Sequence, residues 1–186
     1  MPGFFASLRD TCRFRRGPED MPYSPLLLIA LLVGCAAMQV GFNLDDGARP
    51  ALAASSIIGG LAAIGVVSLL LRGRGKPERF VQTTTSLAAV YLLFGLVNNL
   101  LTLLLPLKAL REQLMSHPAH MPALTGTQTL VVFVIAALEI WQLCVWIGTL
   151  RRALDVTVAG GVLVFLLLVL VNLTVTVVIA SVAGAA

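Results

Sequence analysis

The stretch VTVAGGVLVFLLLVLVNLTVTVVIASVAGAA, residues 156–186, contains no charged side chain. Four further stretches are similarly apolar, and together they carry a single charge, Glu139. A helix needs about 20 apolar residues to cross a bilayer, and ionised side chains are the strongest penalty against insertion. The sequence therefore predicts five membrane spans, which cover about residues 26–44, 51–71, 81–107, 124–150 and 156–183.

The composition agrees with a membrane protein and excludes the other broad classes. Of the 186 residues, 58% are hydrophobic and 12% are charged, and the mean hydropathy is +0.94. This apolar content is too high for a soluble domain or a disordered chain, and three cysteines are too few for a disulfide scaffold. None of the five stretches alternates like a barrel strand. The predicted fold is therefore all-α: a polytopic transmembrane helical bundle of five spans, preceded by a short amphipathic surface helix.

Basic residues lie mainly on one side of this five-span arrangement. Ten of them fall in the N-terminal segment and in the loops around Arg72 and Arg151, against three in the other loops. Basic residues near span ends are retained in the cytoplasm, so we expect a cytoplasmic N-terminus and a periplasmic or extracellular C-terminus. Arginine outnumbers lysine, which together with the short loops favours a bacterial inner membrane. No basic run is interleaved with aromatic residues, so no nucleic-acid partner is expected.

Residues 1–24 precede the first span and have an amphipathic pattern of their own. The apolar arc of this segment consists of Phe4, Phe5, Leu8 and Cys12. Three arginines flank that arc, namely Arg9, Arg13 and Arg16. We expect a helix that lies in the membrane surface, with its arginines near anionic headgroups. The alternative is a basic tail that only fixes the topology. Residues 25–186 then form the five-helix transmembrane domain.

The sequence Leu32-Val33-Gly34-Cys35 resembles the lipobox of bacterial lipoproteins. Cleavage there would remove everything before Cys35 and attach a lipid to its sulfur. Four further spans follow, so a lipid anchor would be redundant. We therefore favour an uncleaved first span, in which Cys35 is a small apolar residue.

Six polar side chains fall inside the predicted spans, at depths that would allow one buried layer: Gln39, Asn98, Asn99, Glu139, Gln142 and Asn172. In a structural interpretation, amides link helices by hydrogen bonds worth about 0.6 to 2 kcal/mol each, and Glu139 is protonated. In a functional interpretation, Glu139 is a proton or cation site on a water-filled path. We favour the first, because one carboxylate without a second intramembrane charge makes a sparse transport site.

Small residues recur at four-residue spacing in the first two spans. The stripe in the second span is Ser55, Gly59 and Ala63, and Gly34 follows Ala30 at the same spacing in the first. Such faces allow helix backbones to approach closely. We expect them to pack within the chain, with a homo-oligomer seam as the alternative.

Catalytic and metal-binding signatures are weak or absent. His117 and His120 lie near two methionines in the loop before the fourth span, a ligand set that copper would accept. Pro118 interrupts their helical spacing and no third histidine or cysteine is close, so they are more typical of a solvated loop. No hydrolase, phosphate-loop or dinucleotide motif is present in the sequence. We expect a non-enzymatic protein without metal or cofactor.

Residues 141–154, WQLCVWIGTLRRAL, resemble an element of Yip1-like small membrane proteins. In that family a tryptophan-bearing span runs into a short basic turn before the last span, and the five-span layout with a cytosolic N-terminal segment is similar. The resemblance implies a membrane-embedded adaptor and brings no catalytic residue. The predicted function is therefore an adaptor or accessory subunit that binds the lipid bilayer and a membrane-protein partner or a second copy. The alternative is a small proton- or ion-coupled transporter or channel component that uses Glu139.

Overall fold

The computed structural model describes residues 3–45, 50–106 and 124–184, and these form helices and turns. The helices are α1 (Phe4–Cys12), α2 (Pro25–Asp45), α3 (Pro50–Gly73), α4 (Phe80–Thr102), α5 (Gly126–Leu154) and α6 (Val158–Gly184). Two short 3-10 turns, Pro18–Asp20 and Pro77–Arg79, precede α2 and α4. The predicted all-helical class is confirmed for the described ranges.

Four of the described helices are long and apolar enough to cross a membrane. Their apolar segments are Ala54–Gly73, Pro77–Thr102, Gly126–Leu154 and Val158–Ile179. The apolar part of α2, Pro25–Gly41, is shorter. Helix α4 ends at Thr102 and a turn follows, five residues before the end of the predicted third span. These helices are compatible with the predicted multi-pass membrane protein.

The helices begin at residues suited to that position. Pro25 and Pro50 are the first residues of α2 and α3, where the missing N–H of proline breaks no helical bond. Ser24 Oγ accepts the N–H of Leu27 at 3.2 Å and so caps α2. At the start of α5, Thr125 and Gln128 exchange two side-chain bonds, of 2.9 and 3.4 Å, which is a capping box.

Three helices end in the same left-handed turn. Phe14, Gly75 and Asp155 follow α1, α3 and α5 with φ of 59°, 70° and 50°. In each turn, the next N–H donates to the carbonyl five residues earlier: Arg15 to Asp10 at 2.9 Å, Lys76 to Leu71 at 2.8 Å and Val156 to Arg151 at 3.0 Å. This is the Schellman motif, which satisfies carbonyls that a helix end leaves without partners.

The chain divides into two compact units, and the larger contains Met1–Leu92 with Cys144–Ala186. In this unit α3 packs along α6. Ser55 is fully buried, and an added Cβ at Gly59 would lie 2.9 Å from Asn172 Nδ2. The apolar core at one end of the unit is built from α3 and α5, with Leu71, Leu150 and Ala153 almost completely buried.

Loops and helix ends of the larger unit meet beside this core. The carboxylate of Asp155 pairs with Lys76 Nζ and lies 3.5 Å from Arg79 Nη1. The same Arg79 atom donates to the carbonyls of Arg152 and Ala153, at 3.2 and 3.4 Å, and so caps the end of α5. The α3–α4 and α5–α6 connections, which the charge pattern assigns to one side of the membrane, therefore lie together.

The N-terminal segment is docked onto the same end of the larger unit. Gln82 Nε2 donates to the carbonyls of Glu19 and Met21, at 3.1 and 2.8 Å. Arg152 Nη2 donates to the Phe14 carbonyl at 2.7 Å. In α1 the buried residues are Ser7, Leu8 and Thr11, and Ser7 Oγ donates to the Asp20 carbonyl at 3.0 Å. Phe5, from the predicted apolar arc, is 82% exposed.

The smaller unit, Leu93–Leu143, contains the later part of α4 and the earlier part of α5. Among its described residues, 93–106 and 124–143, the buried ones are Phe94, Asn98, Val131 and Gln142. From residue 131 onward, the buried or half-buried positions of that part of α5 are 131, 135, 138 and 142, which follow alternating steps of four and three. This spacing is typical of a helix that packs along a neighbouring helix.

Candidate functional site

The candidate site in the smaller unit is a hydrogen-bonded pair of polar side chains on two apolar helices. Asn98 of α4 donates from Nδ2 to Oε1 of Glu139 on α5. Asn98 is buried, and its Oδ1 has no hydrogen-bond partner among the described residues. Glu139 is exposed, although it lies inside the apolar segment of α5. The sequence predicted both residues as intramembrane polar groups, and the fold joins them directly.

Two further residues of the predicted polar layer lie in the smaller unit. Gln142 is buried, one helical turn after Glu139 on α5. Asn99 is half-buried near the end of α4, and its carbonyl accepts the Thr102 hydroxyl at 2.8 Å. The hydrogen-bonded pair of Asn98 and Glu139 is therefore the main polar feature of this unit.

The remaining two residues of the predicted layer lie in the larger unit. Gln39 of α2 donates from Nε2 to the hydroxyl of Tyr91 on α4 at 2.6 Å. Asn172 of α6 is half-buried and lies against Gly59 of α3. Four of the six predicted residues therefore belong to the smaller unit and two to the larger.

Gln39 and Asn172 line a cavity of about 580 Å³ in the larger unit. Residues from α2, α3, α4, α5 and α6 form its walls, and it is partly open. The tryptophan ring of Trp146 lies between Tyr91 and Phe165, with centroid distances of 6.2 Å on each side. These three aromatic residues are all part of the cavity wall. Gly60 of α3 also faces it, and an added Cβ there would meet no atom within 4 Å.

A run of hydroxyl side chains near the start of α4 was not singled out from the sequence. Residues 83–86, Thr-Thr-Thr-Ser, are all buried, and none of their hydroxyl oxygens has a partner in the described part of the chain. Threonine and serine occur commonly at helix contacts in membrane proteins, so the run gave no signal by itself. Four consecutive residues cover every side of a helix, so this turn of α4 is surrounded by protein.

Tyr91 and Trp146 also line the cavity, and neither was predicted from the sequence as a site residue. Tyrosine and tryptophan are expected at the membrane interface. Both residues lie well inside apolar helices instead, and this unusual position was the signal by which the sequence could have identified them.

The small residues predicted to pack have different surroundings. Gly59 lies at the contact of α3 with α6, Ser55 is buried one turn earlier on α3, and Ala63 lines the cavity. Gly34 of α2 faces α4, since an added Cβ would lie 3.2 Å from Leu92 Cδ1. The neighbouring Cys35 Sγ lies 3.7 Å from the Ala88 carbonyl and also lines the cavity.

The basic and metal-site predictions fall at the margins of the described structure. Arg9 and Arg13 are exposed, and Arg16 is half-exposed with its Nε 3.2 Å from Asp10 Oδ2. His117 and His120 lie outside the described residues. Among residues 3–45, 50–106 and 124–184, no group of three or more His, Cys, Asp or Glu side chains could hold a metal ion.

No family model, curated protein or solved structure matches the chain.

Proposed function

We propose that this chain is a non-enzymatic membrane protein that acts as an adaptor or accessory subunit, with Glu139 at the surface that contacts a partner helix. The observation that supports this function is the exposure of Glu139 in the middle of an apolar helix. Its known hydrogen bond is with Asn98, which reaches it from the buried side. The outward face of the carboxyl group is therefore available to a second protein.

The energetics of hydrocarbon favour a protein partner for this carboxyl group. An acidic residue near the centre of a spanning helix costs about 3 kcal/mol on insertion scales, which protonation and one hydrogen bond reduce in part. A hydrogen bond from a second transmembrane helix contributes about 0.6 to 2 kcal/mol more. The occupant we propose is an apolar helix of another membrane protein with an amide, hydroxyl or carboxyl group at the depth of Glu139.

The localisation and topology belong to the same proposal. We place the protein in a bacterial inner membrane with five spans and a cytoplasmic N-terminus. Its support is the basic end of the larger unit, where Lys76, Arg79 and Arg152 lie together with the N-terminal segment. Kinship with Yip1-like proteins is also proposed, since the tryptophan-bearing α5 runs into a basic turn before α6.

Photo-cross-linking in intact membranes tests the adaptor function. A photoreactive residue replaces Leu143, which is exposed one turn after Glu139. We expect a cross-linked protein product that persists in Glu139→Gln, because the amide still forms hydrogen bonds, and that is lost in Glu139→Leu. Ile140→Ala is the matched control, since it alters an exposed apolar neighbour without changing polarity.

Two results would contradict the adaptor function. One is a cross-linking pattern that Glu139→Leu leaves unchanged. The other is proton-linked flux in reconstituted vesicles that Glu139→Gln abolishes, which is the result that the alternative transport function requires. Glu139 is not among the residues that line the cavity of the larger unit.

A further inference from the structure

The cavity of the larger unit has the size and lining of a ligand site. Its volume of about 580 Å³ lies within the range of pockets that enclose small molecules. The lining is mainly aliphatic and aromatic, with a few polar side chains. Exposed leucines, Leu61 and Leu173, are part of the wall, so its opening is apolar. A molecule that enters from a bilayer would meet hydrocarbon-like side chains first.

The charge of the lining limits what this cavity can hold. The described residues that line it include no Asp, Glu, Lys, Arg or His. An ionised phosphate or carboxylate placed there would lose its hydration without gaining an opposite charge, which is strongly unfavourable. The cavity therefore favours an uncharged ligand.

The polar groups of the wall are amides and hydroxyls, which suit a neutral head that contains oxygen. Gln39 and Tyr91 form one hydrogen-bonded pair, and Asn172 contributes a second amide. Thr84 is 2% exposed, and its Oγ1 lacks a hydrogen-bond partner among the described residues. Trp146 Nε1 likewise lacks one there. Both of these atoms are buried within the wall, so the polar groups that face a ligand are those of Gln39, Tyr91 and Asn172.

Two neighbouring glycines of α3 indicate that the packing of α3 against α6 leaves room for the cavity. The backbone at Gly59 is in close contact with Asn172, where only hydrogen fits. At Gly60 the same helix faces open space within the cavity wall. Close packing at one position holds α3 against α6, while the adjacent position leaves room.

We propose that this cavity binds an uncharged amphiphile, with an apolar chain and a head that carries carbonyl or hydroxyl oxygens. The chain contacts the aliphatic wall, and the head accepts or donates hydrogen bonds at the amides and hydroxyls. A monoacylglycerol and an isoprenoid quinone both present this chemistry. The inference is independent of the proposed adaptor function, because the cavity does not include Glu139.

Tryptophan fluorescence of the full chain in phosphatidylcholine nanodiscs tests this assignment. The chain has two tryptophans, so Trp141→Phe leaves Trp146 of the cavity wall as the only reporter. The probes are a dibrominated monoacylglycerol and a short-chain isoprenoid quinone, both of which quench indole on contact. We expect saturable quenching by at least one of the two probes. Which probe quenches shows whether the head group of the ligand is that of a glycerolipid or that of a quinone. A dibrominated fatty acid anion is expected to quench weakly and without saturation.

Matched leucine variants separate cavity binding from contact with surrounding lipid. Gly60→Leu fills the cavity and is expected to weaken binding about tenfold or more. Gly65→Leu, at an exposed position of the same helix with open space around its Cβ, should bind like the parent. Gln39→Leu removes a polar wall group and should weaken binding of either probe. Equal quenching in Gly60→Leu and Gly65→Leu, an absence of saturation with both neutral probes, or equal binding of the fatty acid anion would overturn the proposal.

A folding control keeps this comparison interpretable. The thermal midpoint of each variant is measured without probe, and only variants within a few degrees of the parent are compared. If Gly60→Leu does not fold, Gln39→Leu decides the outcome by itself. Unchanged affinity in that variant contradicts a head bound at the Gln39–Tyr91 pair.

Discussion

Gly59 is the position at which the close contact between α3 and α6 tolerates no side chain. A Cβ there would lie 2.9 Å from Asn172 Nδ2 and 3.2 Å from the Asn172 backbone oxygen. The side-chain amide can rotate away, but the backbone oxygen moves only with α6. Membrane helices rely on such close contacts, because burial from water contributes little to their association.

We expect Gly59→Ala to destabilise the protein by about 1 to 3 kcal/mol, the usual cost of overpacking. The measurement is the free energy of unfolding in mixed detergent micelles. Gly65→Ala is the control, because an added Cβ meets nothing within 4 Å on the same helix. Equal stability of the two variants would show that α6 can move away from α3 freely.

Cys12 at the end of α1 gives a chemical test of how firmly the N-terminal segment is docked. Burial raises the pKa of its thiol above the ordinary value of 9.0. Only the thiolate is alkylated, so the rate for the folded protein should rise at higher pH than for the detergent-denatured chain. The folded state holds the proton more tightly, so this thiol also lowers stability as pH rises past the ordinary pKa.

A variant that keeps Cys12 as the only thiol, Cys35→Ser with Cys144→Ser, makes this measurement specific. Alkylation by iodoacetamide is followed by intact mass between about pH 7 and 10. The denatured variant serves as its own reference. A folded-state profile that coincides with the denatured profile would mean that α1 is not held in its buried position.

The residue scale also shows where the sequence was informative. Asn98 and Glu139 were recognisable as intramembrane polar residues, because such residues are rare and costly in hydrocarbon. That they bond to each other was not predictable, since it depends on how α4 and α5 are rotated. The pairing of Gln39 with Tyr91 was missed for the same reason.

Asp155 joins two loops at the level of secondary-structure elements. Its backbone has a φ of 50°, and its carboxylate pairs with Lys76 while Arg79 lies 3.5 Å away. Asparagine adopts left-handed backbone as readily as aspartate, so Asp155→Asn removes the charge and keeps the turn. The ion cluster is partly solvated, with the Asp155 side chain 60% exposed.

We therefore expect Asp155→Asn to lower the free energy of unfolding by about 0.2 to 1 kcal/mol, the range for exposed ion pairs. The loss should shrink in high salt, because salt screens the wild-type cluster. Glu78→Gln, which neutralises an exposed carboxylate in the neighbouring turn, is the control. A loss that does not depend on salt would contradict the electrostatic origin.

At the element scale the sequence predicted where helices occur better than which faces they bury. Apolar runs, of which one contains a single charge, located α2 to α6, because insertion depends on summed hydropathy. In α1 the predicted apolar arc did not indicate the residues that dock, since Ser7 and Thr11 are buried while Phe5 is exposed. The Ser7 hydroxyl donates to the Asp20 carbonyl outside the helix, whereas the Thr11 hydroxyl donates to the Ser7 carbonyl within α1. A tertiary hydrogen bond of this kind cannot be predicted from the periodicity of apolar residues.

For the whole molecule, the docking of the N-terminal segment bears on the number of spans. Gln82 donates a hydrogen bond to the Met21 carbonyl, and Arg152 donates one to the Phe14 carbonyl. The segment before α2 therefore lies beside the α3–α4 and α5–α6 connections. Helix α2 leads away from this end and α3 returns to it, and we therefore propose that α2 crosses the bilayer as α3 does. Its apolar part, Pro25–Gly41, is about 25 Å long, and the whole helix is about 30 Å long, close to the thickness of the hydrocarbon core.

This geometry predicts the accessibility of single cysteines placed in a cysteine-free chain. We expect Glu19→Cys, Arg74→Cys and Thr157→Cys to react with a membrane-impermeant maleimide only after cell lysis. Leu124→Cys, on the opposite side of α5, should react in intact cells. All four positions are exposed, so differences in labelling report sidedness rather than burial. If Glu19→Cys were labelled in intact cells while Arg74→Cys was protected, α2 would not cross the membrane and the five-span topology would be wrong.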